Sequence, residues 1–130
     1  MRIKLTSILV KDQEKALRFY TGTLGFIKKA DIPAGEYRWL TVVSSEEPGG
    51  TELVLEPGTA PAASAYQEAL FNQGIAAAMF FVDDVQKEYD RLKKAGVVFR
   101  SGPAQAGPAT IAVFEDTCGN LIQISQVAGY

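Results

Sequence analysis

Glu52-Leu53-Val54-Leu55-Glu56 places two carboxylates in an otherwise apolar stretch. Side chains of a strand alternate between faces, so this segment folded as a strand turns Glu52, Val54 and Glu56 to one side and Leu53 and Leu55 to the other. A carboxylate on a partly buried sheet face can take a proton as a general base or pair with a cationic ligand. Glu52 carries more weight than Glu56, which abuts Pro57. The plainer reading of Glu52 is a solvated strand residue near a turn. In Leu121–Gln126 the same alternation sends Ile122 and Ile124 to a core and Leu121, Gln123 and Ser125 to the other face. Gln123 can orient a ligand through its amide, or be a satisfied polar strand residue. Trp39 and Thr41 share a face opposite Leu40 and Val42. The plainer reading of Trp39 is core or interface, yet an aromatic beside a carboxylate in an apolar groove suits a flat or cationic molecule. In Ala77–Val82 both faces are apolar. Met79 and Phe81 share one, Ala78, Phe80 and Val82 the other, and alternation does not choose between Phe80 and Phe81.

The sequence contains no histidine. This removes Ser-His-Asp and Cys-His catalysis and every histidine-based zinc, iron or copper site. A hard-cation site built from oxygen ligands stays open. Cys118 is the sole cysteine, so there is no intrachain disulfide, which suits a reducing cytoplasm. The net charge is −2, and the only Lys-Lys pairs are Lys28-Lys29 and Lys93-Lys94, so no basic stripe points to nucleic acid. No targeting segment is recognised in Met1–Val10, and the longest apolar run, Ile75–Val82, is far below the roughly 20 residues that span a bilayer. A length of 130 residues fits one domain.

The elements that must hold these residues follow from periodicity. Ile3–Val10 reads as a strand. Asp12 can cap a helix whose buried stripe is Ala16, Phe19, Tyr20 and Thr23, with the Tyr20 hydroxyl at the rim and Gly22 and Gly25 at its end. Strands follow at Phe26–Ile32, Tyr37–Ser44 and Thr51–Glu56, with turns at Pro33-Ala34-Gly35 and Pro48-Gly49-Gly50. Pro57–Ala63 reads as linker, and Tyr66, Ala69, Leu70 and Gln73 as a short helix ending at Gly74. Then the opening pattern returns. Ile75–Val82 is a strand, Asp83 or Asp84 a cap, and Val85, Tyr89 and Leu92 a helical stripe ending at Gly96. Val97–Arg100, Ala109–Glu115 and Leu121–Gln126 are strands, separated by turns at Gly102–Pro108 and Asp116–Asn120.

The chain is thus β-α-β-β-β written twice, and an internal repeat outweighs any single periodic segment. The expected fold is α+β. Two βαβββ modules in tandem form a curved, partly open mixed sheet with the helices on its outer face. Within a single domain 1–130, module one is 1–57, a linker with a short helix is 58–74, and module two is 75–130. One sheet face of each module lacks helical cover, and two modules side by side can curve that face into a trough.

Val10-x-Asp12-x-x-x-Ala16-x-x-Phe19-Tyr20-x-x-x-Leu24-Gly25-Phe26 resembles the first signature of the vicinal oxygen chelate superfamily, which holds glyoxalase I, bleomycin-resistance proteins, fosfomycin-resistance enzymes and extradiol dioxygenases. Glu115-Asp116-Thr117-Cys118-Gly119-Asn120-Leu121-Ile122-Gln123 is similar to its second signature, usually Asp-Pro-Asp-Gly-Asn before a strand carrying Glu. The resemblance implies four trough positions that hold an ion in metal-using members. They fall on Leu5, Glu52, Ala77 and Gln123. Only Glu52 keeps the family's residue type, Leu5 and Ala77 cannot ligate, and Gln123 offers a neutral oxygen. One carboxylate and one amide are too few for a dedicated transition-metal site. No metal ligands and no cofactor are therefore expected, a weakly held divalent metal such as water-bound Mg²⁺ being the remaining option.

The resulting expectation is a metal-free trough that binds a small organic molecule, as resistance or sequestration members of the family do. Its lining is expected to be Leu5, Trp39, Glu52, Phe81 (or Phe80) and Gln123, in a cytoplasmic homodimer with no nucleic-acid or membrane partner. The alternative is a lyase or isomerase resembling glyoxalase I, with Glu52 as general base and a weakly held divalent metal. Such an enzyme lacks the cation that would stabilise an enediolate. A third reading is a structural or regulatory module with a vestigial groove. No catalytic role falls to Cys118.

Overall fold

Asp12 and Asp84 start the helices of the two halves in the same way. In the computed structural model, which describes all residues Met1–Tyr130, each is extended. Each carboxylate accepts a 3.0 Å hydrogen bond from the backbone N–H three residues on, of Lys15 and Lys87 respectively. This satisfies one orphan donor of the first helical turn. Helix α1, Gln13–Leu17, passes into a π-helical stretch, Arg18–Thr23, whose wider winding is seen in the Leu24 N–H bond to Phe19 O at 3.0 Å. Ala16, Phe19 and Tyr20 form the buried stripe that the spacing predicts. Tyr20 differs in one respect, being wholly buried with no hydroxyl at a rim. Both halves leave the helix through a glycine at positive φ, Gly25 at 89° and Gly96 at 90°, a conformation that a side chain would strain.

The chain divides into two units, Met1–Gln67 and Glu68–Tyr130. The first holds β1 (Leu5–Val10), β2 (Ile27–Ala34), β3 (Tyr37–Val43) and β4 (Glu52–Pro57), in the order β1-β4-β3-β2. β1 pairs with β4 in parallel and the other neighbours are antiparallel. The second unit repeats this with β5 (Ala78–Phe81), β6 (Phe99–Ala106), β7 (Ala109–Glu115) and β8 (Leu121–Val127), in the order β5-β8-β7-β6. Its helix is α3, Val85–Lys94. The fold is α+β: two tandem βαβββ units, each an open, four-stranded mixed sheet.

One face of each sheet is apolar and packed. In the first unit Ile8, Val10, Leu40, Val42 and Leu55 are buried on the face that α1 covers. In the second, Ala112, Phe114, Ile122 and Ile124 are buried with Val85 and Leu92 of α3. These are the sides that strand alternation assigns to the core. Removing such a side chain, as in Leu55→Ala, costs about 2–5 kcal/mol through lost transfer energy and the cavity left behind.

Four stretches differ from expectation, one of them β2, which runs on through Pro33 and Ala34 where a turn is expected. The segment Pro57–Ala63 is not all linker, because helix α2 runs from Pro61 to Asn72 across the boundary between the units. Proline suits a first helical turn, where its missing N–H has no partner to lose. β6 continues through Gly102 and Pro103 to Ala106, with register shifts on either side of Ser101, where a turn is expected. Bulges let a strand accommodate both residue types. β5 is shorter than Ile75–Val82, since the Ile75 N–H bonds to Leu70 O at 2.9 Å and belongs to the exit from α2. No helix is long and apolar enough to cross a membrane.

Candidate functional site

Register fixes which side chains share the helix-free faces. Leu5 lies opposite Glu52, and Ser7 opposite Val54. Thr41 also pairs with Val54, and Trp39 with Ile32. Leu5, Trp39 and Glu52 therefore lie on one face of the first sheet, together with Thr41, Val54 and Glu56. In the second unit Gln123 lies opposite Met79 and Phe81 opposite Ser125. Phe81, not Phe80, thus shares the helix-free face with Gln123, and Ala77 is not the residue opposite Gln123. Large apolar side chains remain exposed on these faces: Leu5 at 46%, Trp39 at 41%, Met79 at 52% and Phe81 at 48%.

The polar candidates are placed unequally. Glu52 is half-buried, and its Oε1 accepts a 2.8 Å hydrogen bond from the hydroxyl of the buried Thr41. That hydroxyl oxygen in turn accepts a bond from Ala30 N–H at 3.2 Å. Gln123 donates through Nε2 to Ser125 Oγ at 3.2 Å. Phe81 stacks on Tyr130 with centroids 4.5 Å apart and planes 3° from parallel. Sequence reasoning missed Tyr130, because a residue at the end of a chain carries no periodic signal.

Asp116 explains the second signature physically. Its Oδ1 accepts from the backbone N–H of Cys118 at 2.8 Å and of Asn120 at 3.0 Å, and its Oδ2 accepts from Asn120 Nδ2 at 2.8 Å. The buried carboxylate knots the turn that launches β8, and with it Gln123. Cys118 is buried inside this turn and is in no disulfide.

A hollow of about 260 Å³ opens in the first unit, lined by Arg38, Trp39, Val54, Leu55, Glu56 and Pro57. A separate shallow depression of about 570 Å³ runs along Met1–Leu5. It is bounded by that one extended segment, so it offers no opposed walls to grip a ligand. The β3–β4 hollow is different, since two strands wall it. β3 and β4 pair only at Thr41–Val54 and Val42–Leu53. Beyond Thr41 they separate, and the side chain of Gln13 bridges the gap. Its Oε1 accepts from Arg38 N–H at 3.0 Å, and its Nε2 donates to Arg38 O at 2.8 Å and to Leu55 O at 2.9 Å. Neither Gln13 nor the place of Glu56 in the hollow is foreseen by the sequence reading, which favours Glu52.

Charge around the hollow is lopsided. Arg38 grips Asp31 in a two-pronged contact, Nε to Oδ1 at 2.9 Å and Nη2 to Oδ2 at 2.7 Å, and reaches Glu14 Oε1 through Nη1 at 2.8 Å. Hydrogen bonding to Arg38 pulls the Asp31 carboxyl down from 3.8 to about 2, and Asp31 in turn raises the Arg38 guanidinium above its ordinary value. The Arg38 charge is thus absorbed on the far side, and Glu56 faces the hollow with no cation paired to it.

The donor set does not fit a resident metal ion. Of the four positions that the family resemblance marks, Leu5 and Ala77 have no donor side chain, which leaves one carboxylate, Glu52, and one neutral amide oxygen, Gln123, as the whole donor set. No group of three or more His, Cys, Asp or Glu side chains is close enough to hold an ion.

Comparison with known proteins is consistent in family and varied in description. The family model for the Glyoxalase/Bleomycin resistance protein/Dioxygenase superfamily matches residues 2–124. The chain is 58% identical over 126 residues to the uncharacterized protein YurT of Bacillus subtilis, covering 97% of this chain and 99% of that one. It is 30% identical over 132 residues to a lactoylglutathione lyase of Neisseria meningitidis, covering 97% and 91%. Among solved structures it resembles TnmS3, described as an antibiotic binding protein from Streptomyces sp. CB03234, with 31% identity, a TM-score of 0.75 and 98% and 97% coverage. With its internal repeat, both signatures and the sheet order all accounted for, the chain belongs to the glyoxalase/bleomycin resistance protein/dioxygenase superfamily.

Proposed function

We propose that this protein captures a small, partly aromatic organic molecule on the helix-free face of its first sheet and holds it without a metal, as a sequestering protein. The observation that carries this reading is the hollow between β3 and β4, with the half-exposed Trp39 ring on its wall and no other aromatic ring stacked upon it. An apolar recess with a few polar groups is the ordinary design of a small-ligand site. The likeness to an antibiotic-binding structure supports the same reading. Leu5 and Glu52 are proposed as further ligand contacts on that face, with Glu52 held in place by Thr41, and Phe81 and Gln123 as ligand contacts on the helix-free face of the second unit. The exposed Leu5 of the first unit, and the exposed Met79 and Phe81 of the second, support a homodimer that covers apolar surface. The buried Cys118, in no disulfide, suits a reducing, cytoplasmic setting.

A thermal-shift screen with aromatic small molecules tests the reading, since a ligand that binds only the native state raises its melting point. At least one compound is expected to stabilise the wild type and not Trp39→Ala. A panel without any such compound contradicts it. The second reading, a lyase or isomerase with Glu52 as base, draws on the preserved residue type at Glu52 and the 30% identity to a lactoylglutathione lyase. It requires turnover of lactoylglutathione that depends on an added divalent metal and is lost in Glu52→Gln.

A further inference from the structure

We infer that the parting of β3 from β4 is a ligand mouth held open by Gln13, and that the class of molecule it accepts is a flat organic cation. The inference rests on the proposed binding function and specifies its site and ligand.

The second unit provides an internal control. Its corresponding strands, β7 and β8, pair at seven successive positions from Ala109–Val127 to Glu115–Leu121. β3 and β4 pair at two. The difference traces to the first residue of the helix that follows the capping aspartate. In the second unit this residue is Val85, whose only polar contribution is a backbone N–H, bonded to Gln126 Oε1 at 2.9 Å. In the first it is Gln13, whose carboxamide spends its acceptor and both donors on Arg38 N, Arg38 O and Leu55 O. An amide thus stands where strand-to-strand bonds would run, and the two strands cannot close to the usual spacing of about 4.7–4.9 Å. Three main-chain groups that separation would orphan, Arg38 N–H, Arg38 O and Leu55 O, are satisfied by this one side chain, which lowers the desolvation cost of the opening.

What faces the mouth sets its preference. By alternation Trp39, Val54 and Glu56 present side chains on this face, while Arg38 and Leu55 turn theirs toward α1. The indole offers an electron-rich face, and the Glu56 carboxylate has no cation of its own, because Asp31 and Glu14 hold Arg38. An indole face with an adjacent carboxylate favours a planar positive charge over a neutral ring or an anion.

Isothermal titration calorimetry at pH 8 with 1-methylquinolinium, quinoline and naphthalene-2-sulfonate tests this. The cation is expected to bind about 5- to 30-fold more tightly than neutral quinoline, and the sulfonate most weakly, as a cation over an indole predicts. Glu56→Gln, at an exposed residue, should weaken the cation several-fold and leave quinoline unchanged. Gln13→Leu should weaken both about 10-fold or more, as loss of a preformed recess predicts. Gln13→Glu, which sets a carboxylate against two carbonyl oxygens, should act likewise. Equal affinities for cation and quinoline, or no effect of Glu56→Gln, overturn the ligand class while small-molecule binding stands. Unchanged affinities in a folded Gln13 variant overturn the prop. Failure of all three probes overturns the mouth, whereas the proposed function fails only if the wider aromatic screen is also empty.

Discussion

The Thr41 hydroxyl donates a 2.8 Å hydrogen bond to Glu52 from the neighbouring strand, on the face that no helix covers. The same hydroxyl accepts from Ala30 N–H, so one buried side chain ties β2, β3 and β4 together. Thr41→Val keeps the shape and removes both bonds. It leaves a half-buried carboxylate and a backbone N–H short of a partner, at a cost of about 1–3 kcal/mol. Urea denaturation measures the loss. A change within about 0.5 kcal/mol, the range of inconsequential surface substitutions, contradicts the assigned role.

Asp31 and Arg38 give a pH signature. The folded-state pKa of Asp31 is lowered from 3.8 to about 2. Its contribution to stability is therefore fully present above the unfolded value, and is lost as pH falls from about 4 toward 2. In Asp31→Asn the melting temperature should fall less steeply across that window than in the wild type. Identical slopes refute the linkage.

Metal addition separates sequestration from lyase chemistry. With Glu52 and Gln123 the only oxygen donors that the family resemblance marks, micromolar Mg²⁺, Mn²⁺, Ni²⁺ or Zn²⁺ should leave the melting temperature unchanged. Tight native-state binding would raise it by mass action. A rise that disappears in Glu52→Gln supports the lyase reading instead.

The capping aspartates should be comparable in energy. Asp12→Ala and Asp84→Ala each remove one 3.0 Å side-chain bond to a helix N-terminus. Each should cost about 1 kcal/mol, read by chemical denaturation.

Much of the frame is legible in the sequence because it is written locally. Asp12 and Asp84 cap helices, alternation puts Leu40, Val42, Ile122 and Ile124 in the core, and the repeat yields two like sheets. The candidate site is less legible because it depends on partners distant in sequence. Gln13 looks like any polar residue opening a helix, and its partners lie 25 and 42 residues away. Glu56 is discounted beside Pro57, yet it is Glu52 that is engaged by Thr41 and Glu56 that lines the hollow. Composition also misleads at Pro61, where a proline that reads as linker is the first residue of α2.

Trp39 is the sole tryptophan, so its indole N–H gives a single, unambiguous resonance in ¹⁵N-labelled protein. Titration of that protein with aromatic small molecules tests the binding account most directly. The account predicts that a bound compound shifts the Trp39 indole together with Val54 and Glu56, and that Trp39→Ala weakens binding about 10-fold or more, the loss of an aromatic anchor. Compounds that bind while leaving these resonances in place, with affinity intact in Trp39→Ala, would contradict it.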